Sequence, residues 1–392
     1  MFSYPVLEAI HMRIITLILI IFTLNAAPVK ADNESVYKGL SNFTKVLDLI
    51  QRNYVEEVEG EELTTKAIEG MLQGLDPYSA YLSPERYRDL EIGTSGEFGG
   101  VGMEVTTKDG FLKVITPIEG GPAEKAGIKP KDMIIEIEGK TTKGMVVQEA
   151  VNLLRGPKGS PVNVTIEREG EPNPIKITLV RDKITIKSVK YKLLDNQIGY
   201  IKLSQFQEDS SQELRTALSE LESQNGKDLR GVILDLRNNP GGLLGEAIEV
   251  ADEFIDQGLI VSVRGRSEEQ TREFYATKNG NFQQYPILVI VNEGSASASE
   301  VVAEALQDSK RATILGTSTF GKGSVQTIIR LEDGSGLKLT TAKFYAPSGR
   351  SISEVGVTPD VFVENDNAKD KQLETAVDLL KSSGISRAIP KG

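Results

Sequence analysis

Residues 292–300 read Asn-Glu-Gly-Ser-Ala-Ser-Ala-Ser-Glu, between an apolar run, Ile287–Val291, and a stretch with helical spacing. A strand-to-helix turn built of small residues lifts one serine Oγ clear of the backbone. It also aims the first helical N–H groups, aided by the helix dipole, at a substrate oxygen. The chemistry would be attack of a hydroxyl on a carbonyl. A structural role fits the same residues, because Ser297 and Glu300 have the S-x-x-E spacing of a capping box and the alanines permit close packing.

A hydroxyl nucleophile needs a base, and the second segment offers one. In Phe320-Gly-Lys-Gly-Ser-Val-Gln, residues 320–326, Lys322 stands between two glycines that allow close backbone approach. A desolvated lysine has a depressed pKa and can act as a neutral general base. The Gln326 carbonyl oxygen, four residues on, is placed to hold the amine; a solvated hairpin lysine is the structural alternative. A phosphate loop is a poor reading, since neither G-x-G-x-x-G nor G-x-x-x-x-G-K-[ST] occurs.

The third segment is Asp235-Leu-Arg-Asn-Asn-Pro-Gly-Gly, residues 235–242, after the apolar run Gly231–Leu236. Two strand-to-helix turns on one parallel sheet, near 240 and 296, would face one crevice at the carboxyl ends of the strands. Their N–H groups would suit an oxyanion hole, or the glycines only satisfy turn geometry. The fourth segment is Phe98-Gly-Gly-Val-Gly-Met. Successive N–H groups in such a loop can grip a peptide's terminal carboxylate while the next strand pairs with the peptide.

What is missing narrows the chemistry further. The 392 residues include no Cys, no Trp and one His, His11. A thiol nucleophile, a Ser–His–Asp triad and a His or Cys metal site are therefore not expected, and no metal or cofactor is called for. An aspartic peptidase could do without His and Cys, but no D-[ST]-G pair is present. Acids outnumber bases 56 to 45, and beyond residue 31 the balance is −12. A body so acidic has no general attraction for nucleic acid.

The elements that must position these segments follow from periodicity. Residues 1–31 read as an export signal: Arg13, an apolar run Ile14–Leu24, and Val29-Lys30-Ala31 as a cleavage site after Ala31, with Met12 an alternative start. The run is shorter than the ~20 residues that span a bilayer, so membrane association is expected only through an uncleaved leader kept as an anchor. Residues 32–96 read as helical, with helices at 36–54 and 63–75. Residues 97–182 hold short β runs at 111–118, 133–137, 162–168 and 175–180, with helices at 122–126 and 142–154. From 184 to about 307, strands at 198–203, 231–236, 259–263 and 287–291 alternate with helices at 210–223, 244–257 and 297–307, which implies an α/β layer with a buried parallel sheet. A β-rich part follows at 312–315, 324–331 and 337–345, and a helix at 371–381. The apolar faces of the N-terminal helices and of the last helix suit a homodimer, an adaptor protein or packing within the chain.

Together the four segments resemble a carboxyl-terminal processing protease, of the tail-specific protease family, in the family's order and over about residues 32–365. The resemblance implies a PDZ-like β domain at 97–182 set before an α/β, crotonase-like protease core at 183–365 with a β-rich C-terminal part, and a helical tail at 366–392. GGVGM fits the PDZ carboxylate loop, here Gly100, Val101, Gly102 and Met103, and GGPAEKAGIKPKDMIIEIEG fits the helix and strand after it. The resemblance makes Ser297 the nucleophile, Lys322 its base, Gln326 the residue that orients Lys322, and the N–H groups of Gly242 and Ala298 the oxyanion hole. It implies an endopeptidase that binds the apolar C-terminal tails of exported proteins through the PDZ domain and cuts through an acyl-enzyme. The protein would work outside the cytoplasm, in a periplasm or, in a phototrophic host, a thylakoid lumen. PDZ movement would gate the site, with Arg168 coupling tail binding to that gate. Without an active dyad the same scaffold would be a tail-binding chaperone.

Overall fold

A computed structural model describes residues 33–382, apart from 109, 227, 278–284, 354 and 366–368. The leader expected at 1–31 lies outside the described residues. None of the described helices is long and apolar enough to cross a membrane. The chain divides into two compact bodies, residues 1–70 and 71–392. The first contains the helix Asn33–Asn53 and most of a second, Gly60–Gln73. On the longer helix Leu40, Phe43, Val46 and Ile50 recur at helical spacing and are exposed.

The second body is built on three main sheets. The central one has six strands in the order Val189–Leu194, Ile198–Leu203, Gly231–Asp235, Ile287–Val291, Ala312–Gly316 and Val361–Phe362. The first pair is antiparallel and the rest are parallel. Both inner strands, GVILD and ILVIV, are buried at every position, as expected of a parallel sheet covered on both faces. On one face lie the helices Ser210–Asn225, Leu244–Asp252 and Ala298–Asp308, around a core that includes Leu218, Val250, Val302 and Leu306. On the other face lies Lys371–Lys381, whose Ala376 and Leu380 pack with Ile233, Leu288 and Ile290. The last helix is therefore part of the core, not a free tail, and its apolar face is filled from within the chain.

A five-stranded antiparallel sheet stands beside this layer. Ala80–Leu82, Gly336–Tyr345, Leu259–Gly265 and Arg272–Tyr275 follow in order, and Ser324–Arg330 also pairs with Gly336–Tyr345. Two sequence assignments change here. Leu259–Gly265 belongs to this sheet and not to the parallel one, and Ala312–Gly316 is a parallel strand of the central layer. A short apolar run fixes strand character but not the sheet it joins.

Residues 103–180 form the third sheet, Met103–Lys108, Phe111–Pro117, Met133–Ile137, Pro161–Glu167 and Ile175–Val180, with the two-residue strand Lys140–Thr141 at its side. It has its own core, including Leu112, Ile134, Val164 and Leu179. The chain enters and leaves through one two-stranded ribbon, Glu97–Gly100 paired with Asp182–Thr185. A further contact ties this domain to the helix Pro84–Ser95: Arg155 Nη1 meets Asp89 at 2.9 Å and Asn152 donates to Glu85 at 2.6 Å.

Candidate active site

Both strand-to-helix turns sit at the carboxyl end of the central sheet. The first is shaped by Arg237 and Asn239. Arg237 is held between Asp235 and Asp370, with contacts of 2.6 and 2.7 Å, and burial of the guanidinium is more than offset by these carboxylates, which hold its pKa above the usual value. Asn239 is fully buried. Its Nδ2 donates to the Leu203 carbonyl at 3.0 Å and its Oδ1 accepts from the Gly241 N–H at 2.9 Å. Its own carbonyl accepts from the Ala296 N–H at 3.0 Å and the Ser299 hydroxyl at 2.9 Å. One asparagine thus joins the two turns.

Gly241 lies against the serine turn. A Cβ there would stand 2.9 Å from Ser297 Cβ and 3.0 Å from the Ala298 nitrogen, at a φ of +103°. No other residue fits without moving the turn. Next along the chain, the Phe206 carbonyl accepts the Leu243 N–H. Among the described residues the N–H groups of Gly242 and Ala298 have no hydrogen-bond acceptor, so two donors stand free beside the serine.

Ser297 is the residue before the helix Ala298–Asp308, with φ 55° and ψ −114°. A non-glycine residue in this region costs ~1–3 kcal/mol and persists only where its surroundings over-determine it. The determinant is Glu300. Its carboxylate is fully buried and accepts four hydrogen bonds. Oε2 takes the N–H groups of Ser297 at 2.7 Å and Lys322 at 2.9 Å. Oε1 takes the Gly321 N–H and the Thr319 hydroxyl, both at 2.6 Å. The Ser297 hydroxyl itself makes no capping bond; the Glu300 N–H goes instead to the Ser297 carbonyl at 2.8 Å. Only half of the capping box expected from the sequence is formed, and the hydroxyl stays available.

Lys322 enters from the loop before the strand Ser324–Arg330. Close packing explains its second glycine, since a Cβ at Gly323 would stand 2.4 Å from the Ser353 nitrogen. Burial lowers the Lys322 pKa, the positive charge of Lys338 lowers it further, and Glu300 opposes both. The ammonium nitrogen lies 5.2 Å from the centre of the Tyr78 ring. No hydrogen bond joins Lys322 Nζ to Ser297 Oγ among the described residues, but one carboxylate oxygen links their backbones. Gln326 does not bond Lys322 either. Its Nε2 donates to Ser324 Oγ at 2.9 Å and Thr340 Oγ1 at 3.3 Å.

The glycine loop of the small domain lies where the ribbon meets its sheet. Gly100 ends the ribbon strand, Gly102 has φ +68°, and Met103 opens the sheet. The Val101 carbonyl accepts from Ala123 at 2.8 Å and the Gly102 carbonyl from Ile118 at 2.9 Å. The N–H groups of Val101 and Gly102 are left without acceptors among the described residues, which is the pattern of a carboxylate cradle. Arg168 lies elsewhere. Its Nε and Nη2 meet the two oxygens of the buried Asp132, each at 2.8 Å, and Nη2 also reaches the Gly127 carbonyl at 2.7 Å. It is a brace inside the small domain, and none of these partners lies in the core.

Sequence reasoning treated Glu300 only as a cap. Tyr78 carried no signal, since it precedes Lys322 by more than two hundred residues. Among the described residues no cluster of His, Asp or Glu could hold a metal ion.

The chain matches three family descriptions: "Peptidase family S41" over residues 197–363, "PDZ domain" over 113–168, and "Activating protease CtpB N-terminal domain" over 23–86. It is 46% identical to a carboxy-terminal-processing protease of Bartonella bacilliformis, over 86% of this chain and 78% of that one. It is 40% identical to the carboxy-terminal processing protease CtpA of Bacillus subtilis, over 84% of this chain and 71% of the relative. Among solved structures, a candidate S41 protease from Bacteroides fragilis superposes with a TM-score of 0.50 at 18% identity, covering 85% of this chain and 92% of that one. That likeness concerns the fold.

Proposed function

The chain belongs to peptidase family S41, as a serine-type carboxy-terminal processing protease with a PDZ domain, and from that premise we propose that it cuts by a Ser297–Lys322 dyad and an acyl-enzyme. The observation that carries this reading is the shared Glu300 oxygen, which binds the N–H of the strained serine and the N–H of the half-buried lysine at once.

The PDZ loop 100–103 receives the free carboxylate of an apolar tail, and the strand beginning at Met103 pairs with it. The scissile carbonyl reaches Ser297. Neutral Lys322 takes the hydroxyl proton as Oγ bonds to the carbonyl carbon, and the C=O pair moves onto oxygen. The N–H groups of Gly242 and Ala298 receive that oxyanion; one such donor is commonly worth ~3 kcal/mol. The Lys322 ammonium returns its proton to the leaving amine, and water then releases the acyl group by the same route. Gln326, the residue expected to orient Lys322, bonds Ser324 and Thr340 instead. Exported proteins with apolar C-termini are the proposed substrates, met outside the cytoplasm.

The test mixes the purified protein with a polypeptide ending in small apolar residues and reads products by mass spectrometry. Ser297→Ala, Lys322→Ala and a C-terminally amidated substrate run in parallel. Cleavage by the parent alone, weakened by amidation, is expected. Tight tail binding with no cleavage by the parent would overturn the reading in favour of a binding scaffold.

A further inference from the structure

Resting on the Ser297–Lys322 reading, we propose that Tyr78 is a positioning residue for the general base, whose ring face stabilises the ammonium formed when Lys322 takes the Ser297 proton. The 5.2 Å from Nζ to the ring centre lies within the range of a cation–π contact. A neutral amine gains little from the ring quadrupole, whereas an ammonium gains its full attraction. The contact therefore strengthens as the proton moves from Oγ to Nζ and the Oγ–carbon bond forms. An interaction that grows on the way to the transition state raises kcat and leaves KM alone.

The turn that carries the ring is held by a hydrogen-bond network that also leads into the next strand. Asp76 Oδ1 accepts the N–H groups of Tyr78 at 2.7 Å and Ser79 at 2.9 Å, and Oδ2 accepts the Ser79 hydroxyl at 2.7 Å. Thr340 donates its hydroxyl to Asp76 Oδ1 and its N–H to Ser79 Oγ, each at 3.1 Å. Gln326 Nε2 reaches the same Thr340 hydroxyl at 3.3 Å. The segment then continues as the strand Ala80–Leu82, paired with Lys338–Gly336. Gln326 thus touches the network that holds the turn, and the segment before the PDZ domain brings one ring face to Lys322.

The experiment measures kcat and KM on the same tail polypeptide, on the pH plateau above the acid limb where Lys322 is already neutral, for the full enzyme carrying Tyr78→Leu, Tyr78→Phe, and phenylalanines with one, two or three ring fluorines at position 78. Lys322→Ala is included, and thermal midpoints are recorded throughout. Fluorination drains the ring face without changing its packing. Tyr78→Leu is expected to lower kcat by about 5- to 30-fold at constant KM, the range of a desolvated cation–π contact. Tyr78→Phe should recover most of that loss, and kcat should then fall stepwise with each fluorine while the midpoint stays fixed. A flat fluorine series with an inactive Lys322→Ala would overturn the role of Tyr78 and leave the dyad standing. Parent-like activity of Lys322→Ala would overturn both. If Tyr78→Leu fails to fold, the fluorine series decides alone.

Discussion

Replacing Glu300 separates a catalytic linker from an ordinary helix cap. All four partners of its carboxylate are donors in the observed arrangement. Glutamine offers one oxygen and one NH2 group. Its best placement keeps the oxygen on the Ser297 and Lys322 N–H groups and turns the NH2 toward Thr319 and Gly321. The Thr319 hydroxyl, which already accepts the Val357 N–H at 2.7 Å, can rotate to accept; the Gly321 N–H is left facing a donor. An orphaned buried N–H costs ~1–3 kcal/mol. If that cost falls on the arrangement that joins the two loops, kcat drops by roughly 5- to 150-fold at 1.36 kcal/mol per decade. Alanine orphans all four donors, so Glu300→Ala should lose more activity than Glu300→Gln and unfold at a lower temperature. The assay is kcat on the tail polypeptide, with the rate of Ser297 labelling by a fluorophosphonate as a substrate-independent check, well below the melting temperature of each variant. Parent-level kcat and labelling in Glu300→Gln would refute the linkage, because a residue that only caps the helix has no reason to govern a loop twenty residues away.

Two other outcomes follow from charge. On the proposed dyad Lys322 acts as the neutral amine, so cleavage is lost as pH falls through its lowered pKa; Lys338→Met removes a like charge, raises that pKa and moves the acid limb of kcat to higher pH, and an unmoved limb would count against Lys338 as a cause. The same depression makes stability rise with pH between the folded pKa and about 10.5, where only the unfolded chain holds the proton. Arg168→Ala should act on the PDZ domain itself: it leaves the buried Asp132 with only the Lys129 N–H, a loss of up to ~3 kcal/mol, so domain melting and tail affinity fall together. A fully stable Arg168→Ala protein that has lost only tail-stimulated cleavage would restore the coupling role first expected for it.

The parts of this molecule that were legible in its sequence are those fixed by neighbours along the chain. GVILD and ILVIV read as buried strands, small residues after each read as turns, and Met133–Ile137 and Lys371–Lys381 fall where periodicity puts them. Sheet membership was not legible, since Leu259–Gly265 and Ala312–Gly316 carry the same apolar signal yet join different sheets. The partners of Gln326 were not legible either: spacing along a strand says nothing of Thr340, which comes from the neighbouring strand and shares its amide with Ser324. Glu300 shows the limit most clearly. Its position three residues after Ser297 announces a cap, but three of its four partners come from residues 319–322 and are set by tertiary structure alone.

The absence of any histidine after His11 ties these observations together. A lysine base must be stripped of water to be neutral near pH 7, yet it must carry a full charge once it takes the proton. Burial alone would make the first condition easy and the second costly. In this fold the nearby charges have opposite effects, with Lys338 favouring the neutral amine and Glu300 the ammonium, and the Tyr78 face, 5.2 Å from the nitrogen, favours the ammonium as Glu300 does. Those three groups come from the strand Gly336–Tyr345, the nucleophile helix and the segment before the PDZ domain. On the proposed mechanism a serine–lysine pair therefore needs more of the fold around it than the two residues themselves, and the proposed dyad is the meeting point of three elements that hold one amine between its two charge states.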